Sequence, residues 1–146
     1  MDAKVISSVV EQIAQQLSAV GVPYEAASVA VLPATNSLPE GLGATMDGPT
    51  GRQLDVAVWE VANRLNFVIS VRNTTLGKVV YVRDFLKFLK QEFSYDDFKF
   101  AATIDEAQAQ DVAAKFVSVL TTNQKLIEVL RANEWLDVSF DWAGMR

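Results

Sequence analysis

Between residues 5 and 20, Ile6, Val10, Ile13, Leu17 and Val20 recur at spacings of four and three, while Ser7, Ser8, Glu11, Gln15 and Gln16 fill other positions. That period predicts an amphipathic helix. Gly21 supplies a left-handed stop, and Pro23 opposes continuation. Residues 28–32 are short and β-branched, are bounded by Pro33, and predict a strand. Breakers then accumulate between residues 33 and 52: Pro33, Pro39, Gly41, Gly43, Gly48, Pro49 and Gly51. Their density predicts one long loop, and a loop of that length in a compact domain is functional or ordered by a partner. Leu38, Leu42 and Met46, apolar within that stretch, are its candidate contact residues.

Leu54, Val58, Val61 and Leu65 fit one face of a helix, although Val56, Val58 and Trp59 would also suit a strand. In residues 66–72, Phe67, Ile69 and Val71 alternate with Val68, Ser70 and Arg72, which predicts a strand. Over residues 78–93, Val79, Val82, Leu86, Leu89 and Phe93 recur at helical spacing, with a Val-rich first turn that also suits extended chain. Tyr81, Phe85 and Phe88 add a second apolar row, so this helix is expected to be buried on two sides, one of them against another subunit.

Residues 98–102 suit another short strand. Thr103 and Glu106 match a capping box ahead of the stripe Ala109, Val112, Ala113, Phe116 and Leu120. Thr121 and Gln124 match a second, ahead of Leu126, Ile127, Val129 and Leu130. Val138, Phe140 and Trp142 alternate with Asp137, Ser139 and Asp141, which predicts a closing strand. The order is not a regular βαβ alternation. The expected architecture is therefore α+β, a small, largely antiparallel sheet packed by amphipathic helices, forming a single domain over residues 1–146.

Composition sharpens this picture mainly by exclusion. Half of the 146 residues are hydrophobic, enough to bury a core without disulfides. Thirteen Lys and Arg against 18 Asp and Glu leave a net charge of −5, with the cations scattered. Nucleic-acid binding needs a cationic footprint, so none is expected. The chain has no Cys and no His, which removes thiolate chemistry, Cys-ligated metals and the commonest general base and metal ligand. No cofactor and no metal are expected. No run approaches the roughly 20 apolar residues of a membrane span, and no signal peptide is visible at the start, so a cytoplasmic or particle-incorporated protein is expected. Asn73-Thr74-Thr75 fits a glycosylation sequon that the absence of a secretory signal makes a chance match.

The remaining motifs fall short of catalysis. The stretch from Gly41 to Gly48 lacks the Gly-Lys-Ser/Thr of a phosphate loop, and Asp47 and Pro49 oppose phosphate binding. Asp137 and Asp141 would share a strand face roughly 13 Å apart, too far for joint ligation. Asp96, Asp97, Asp105 and Glu106 suit solvated or helix-start positions. No serine sits in a nucleophile elbow.

A non-catalytic protein-binding or structural subunit of a larger assembly, such as a ring- or phage-tail-like component, is therefore expected. Self-association is included, and the candidate contact residues are Tyr81, Phe85, Phe88, Leu38, Leu42 and Met46. The alternative is a small acidic inhibitor or immunity-type protein that blocks a basic enzyme, with a carboxylate-based hydrolase a distant third.

Overall fold

The computed structural model describes residues 1–135. The closing strand expected at Val138, Phe140 and Trp142, and the Asp137–Asp141 pair, lie outside the described residues. Helix α1 spans Ala3–Ala19 and begins where the Asp2 carboxylate accepts the Lys4 amide at 2.9 Å. Its buried residues, among them Ile6, Val9, Val10, Ile13 and Leu17, lie on one face. Gly21, at φ +80°, ends it, and the Val22 amide returns to the Leu17 carbonyl.

The sheet follows: β1 (Ala30–Leu32), β2 (Gly41–Asp47), β3 (Arg52–Val61), β4 (Arg64–Asn73) and β5 (Lys78–Tyr81). After helix α2 (Val82–Phe88) come a 3-10 turn at Tyr95–Phe98, β6 (Lys99–Ala101), a second 3-10 turn at Glu106–Gln108, α3 (Ala109–Leu120) and α4 (Gln124–Leu130). Strands β1 to β5 pair antiparallel in chain order, and β6 pairs with β4 to complete a six-stranded sheet. The fold is α+β. Along each long strand, alternate residues such as Met46, Leu54, Val58, Phe67 and Val71 are buried in one cluster with α1, α2, α3 and α4. Within it Phe116 of α3 meets the Phe67 ring at 4.8 Å.

Several expectations are corrected. The loop over residues 33–52 is interrupted by β2, leaving only residues 33–40 as its long irregular part. The glycines there serve close approach: a Cβ on Gly41 would lie 2.6 Å from the Val58 carbonyl oxygen. Gly48, Pro49 and Gly51 do form a turn, with Gly51 at φ +72°. The helical face read through Leu54, Val58, Val61 and Leu65 is instead a hairpin of β3 and β4. Its two-residue turn at Ala62 and Asn63, at φ 53° and 60°, has the left-handed geometry that matches strand twist but lacks the usual glycine.

The helix expected over residues 78–93 begins only at Val82. The β-branched run of Val79 and Val80 pairs with β4 instead, because such side chains favour a pleated surface. Lys90, at φ 56°, closes the turn after α2, so Phe93 lies beyond the helix. Both threonine capping boxes are also displaced by two residues. Asp105 and Gln108 form the reciprocal box ahead of α3, and Asn123 caps α4 through the Lys125 amide. The Thr121 hydroxyl instead donates back to the Val117 carbonyl, so it belongs to the end of α3.

Candidate functional site

Because strand side chains alternate between faces, burying Leu54, Val56 and Val58 turns Asp55, Ala57 and Trp59 to the second face of the sheet. Gly43 and Thr45 of β2, and Val68, Ser70 and Arg72 of β4, join them there. Except for buried Ser70 and exposed Arg72, these residues are half-buried. They border an open trough of about 480 Å³ whose other walls are β1, the segment around Ala27 and Ser28, and Tyr81. Among the described residues, none that is helical lines it. Leu32 is held over Gly43, where a Cβ would meet its side chain at 3.1 Å, so the glycine keeps that end narrow.

One polar network crosses the trough. The Thr45 hydroxyl donates to Asp55 Oδ1 at 2.9 Å, while Arg72 donates through Nε and Nη2 to Asp55 Oδ2 at 3.1 and 3.0 Å. Both Asp55 oxygens are engaged and its charge is met by Arg72. This leaves the centre of the face close to neutral in a chain of net charge −5. Around this network the trough is walled largely by small and apolar residues. Among the described residues, no group of three or more carboxylates is arranged to hold a metal ion.

The six candidate contact residues separate. Leu42, Met46 and Phe85 are buried in the molecule's own core, so they are corrected from contact residues to core residues. Leu42 and Met46 point inward because β2 is a strand, and Phe85 lies on the core side of α2. Leu38, Tyr81 and Phe88 remain exposed, at 38–43 %. Tyr81 borders the trough, Leu38 borders a smaller hollow beside Trp59, and the Phe88 ring stacks on Phe85. Asp96 and Asp97 are structural: Asp97 accepts the Ser94 amide, and Asp96 faces Arg64 at 3.5 Å.

The Thr45–Asp55–Arg72 network is not legible in sequence because the glycines around Thr45 read as a loop and the spacing around Asp55 suits helix and strand alike. Reading residues 52–61 as alternating would have placed Asp55, Ala57 and Trp59 together. Nor is the polar node beneath the sheet, where Arg52 and Tyr24 are buried, legible in sequence. The Tyr24 hydroxyl donates to the Leu130 carbonyl at 2.9 Å. Burial raises the Tyr24 pKa well above its ordinary value of 10, with the Arg52 charge acting in the opposite direction. Burial likewise lowers the Arg52 pKa.

An alkaline signature follows. Tyr24 ionises near pH 10 in the unfolded chain and only at higher pH in the folded one, so its contribution is intact below pH 10 and is lost as pH rises above it. Wild-type stability is expected to fall faster than that of Tyr24→Phe above pH 10, by up to about 1.4 kcal/mol per pH unit. Urea titrations of both proteins across that range check this, and parallel slopes would refute it.

A scan against protein-family models, a search of curated proteins and a search of solved structures each returned no match to this chain.

Proposed function

We propose that this chain is a non-catalytic protein-binding subunit that associates with copies of itself through the second face of its sheet. The observation that carries the reading is the trough over Gly43, Ala57 and Val68, an open sheet surface of small and apolar residues with Trp59 at its margin and, among the described residues, no helical wall. Sheets bury such surfaces by stacking face to face about 10 Å apart, and aromatic residues are enriched at protein interfaces. The Asp55–Arg72 pair favours self-association over the acidic-inhibitor reading. It removes net charge where two like-charged chains would meet, and it neutralises the acid that an electrostatic inhibitor would present.

Light scattering after gel filtration tests this. The wild-type chain is expected to run as a defined multiple of 16.0 kDa. Ala57→Arg, which places a long cation in the trough, is expected to shift it to the monomer mass without lowering the melting temperature by more than a few degrees. A wild-type monomer at high concentration would overturn the reading, as would an Ala57→Arg variant that stays folded and fully associated.

A further inference from the structure

Strand β4 is longer than the strands that share its outer edge. β5 pairs with Ser70 to Asn73 and β6 with Arg64 to Asn66, so residues 67–69 have no strand partner on that side among the described residues. A hollow of about 250 Å³ includes residues from this notch, with Trp59, Val68, Tyr95 and Phe98 among its walls. Two cations, Arg83 and Lys99, also line it. Arg83 is a half-buried residue whose guanidinium lies against two rings, its carbon 5.6 Å from the centre of Tyr95 and 5.8 Å from that of Phe98. Those contacts hold it in place but donate no hydrogen bond to a charged acceptor.

Among the described residues, neither Arg83 nor Lys99 forms an ion pair. Of the nearby acids, Asp96 faces Arg64 and Asp97 accepts the Ser94 amide, and both border a second hollow together with Lys99. Arg83 and Lys99 stand together at the wall of a cavity lined by aromatic rings, an arrangement that suits an anion from outside. A guanidinium stacked on rings gains most from a planar acceptor that takes two of its N–H groups together. The surrounding rings and Val68 favour an apolar body over a hydrated one, and the volume, just below the usual range of ligand cavities, limits the occupant to a small molecule.

We infer that this hollow is a binding site for a small carboxylate with a flat apolar body, its head on Arg83 with Lys99 nearby and its body against Trp59, Val68 and Phe98. The hollow shares Trp59 and Val68 with the trough, but the residues that would hold the charged head, Arg83 and Lys99, do not line the trough.

The test uses 3-phenylpropionate as the probe, titrated into the wild-type protein while the indole N–H signal of Trp59 is followed by NMR and assigned with Trp59→Phe. A saturable shift is expected, with 3-phenylpropionamide, which has the same shape but no charge, binding at least about tenfold more weakly. Arg83→Gln is expected to weaken the carboxylate by a similar factor with its circular dichroism unchanged. The amide comparison needs no variant, so it decides the question even if Arg83→Gln perturbs folding. The inference is overturned by the absence of a saturable shift, by equal affinity for acid and amide, or by a folded Arg83→Gln that binds as wild type does. Inorganic phosphate binding as tightly as 3-phenylpropionate would also overturn it, because the apolar walls would then contribute nothing.

Discussion

Phe116→Ala is expected to cost about 3–5 kcal/mol of folding stability, the largest effect of any single truncation considered. Phe116 is fully buried on α3, and its ring lies 4.8 Å from Phe67, 5.1 Å from Phe100 and 6.2 Å from Phe98. These neighbours come from β4, β6 and the 3-10 turn, so one side chain joins three separate parts of the chain. Truncation removes its transfer energy and leaves a void that three rings anchored on different elements cannot all close. Tilted and edge-on ring contacts add about 0.5–1.5 kcal/mol each beyond buried area. Against a usual total of about 5–15 kcal/mol the loss is large, and the melting temperature should fall by about 10 °C or more. Phe116→Leu keeps most of the volume and should cost much less. Urea unfolding of the two variants checks this, and equal, small losses for both would show that the cluster is not tightly packed.

Arg52→Ala should come second, at about 2–4 kcal/mol. Arg52 opens β3 and is 7 % exposed. Its Nε donates to the Val129 carbonyl at 2.9 Å and its Nη2 to the Glu134 carbonyl at 2.8 Å, while the guanidinium carbon sits 4.7 Å over the Trp135 ring. One side chain thereby satisfies a carbonyl at the end of α4 and another in the segment beyond it. A seven-residue helix depends on such contacts, because so short a helix is unstable in isolation. Alanine would leave both carbonyls without this donor and remove the aliphatic stem that packs below the sheet.

Arg52→Lys keeps the charge but not the fork, so it should recover only part of the loss. Hydrogen exchange supplies the specific readout: in Arg52→Ala the α4 amides should exchange faster, while those of β3 and β4 stay protected. Uniform protection across α4 in the variant would contradict the role assigned to Arg52. Arg131 ties the same region to α1, donating to the carbonyls of Gly21 and Val20, so α4 should loosen without separating completely.

Much of the architecture is legible in local patterns. The apolar spacing of α1 and its Gly21 stop, the alternation through Phe67, Ile69 and Val71, and the stripe of α3 each follow from one residue period and one local stop or start. The α+β class follows from their order. Where several signals coincide, local reading loses its discrimination. Leu54 and Val58 are four apart, a spacing that suits one helix face and one strand face equally, and no glycine announces the turn at Ala62 and Asn63. Gly41 and Gly43 resemble loop residues in sequence, yet they stand in a strand because Val58, Trp59 and Leu32 crowd them from across space.

The candidate sites were less legible than the fold. Tyr81 and Leu38 stand out in sequence because they are large and apolar in unusual places, and the fold leaves them exposed, whereas Leu42, Met46 and Phe85 carry the same signal although the core claims them. Trough and hollow alike assemble residues distant in sequence, such as Gly43, Asp55 and Arg72, or Trp59, Arg83 and Lys99. Their meaning depends on which charges find partners.

By itself, the sequence determined that His and Cys chemistry is absent, that the chain can bury a substantial core, and that its elements make an α+β fold, because these depend on composition and residue period. Only the tertiary structure decided which face of the sheet the helices cover, that Asp55 is neutralised by Arg72, and that Arg83 lies against aromatic rings without a carboxylate. Those outcomes depend on strand register and on contacts between distant segments, which no local spacing encodes.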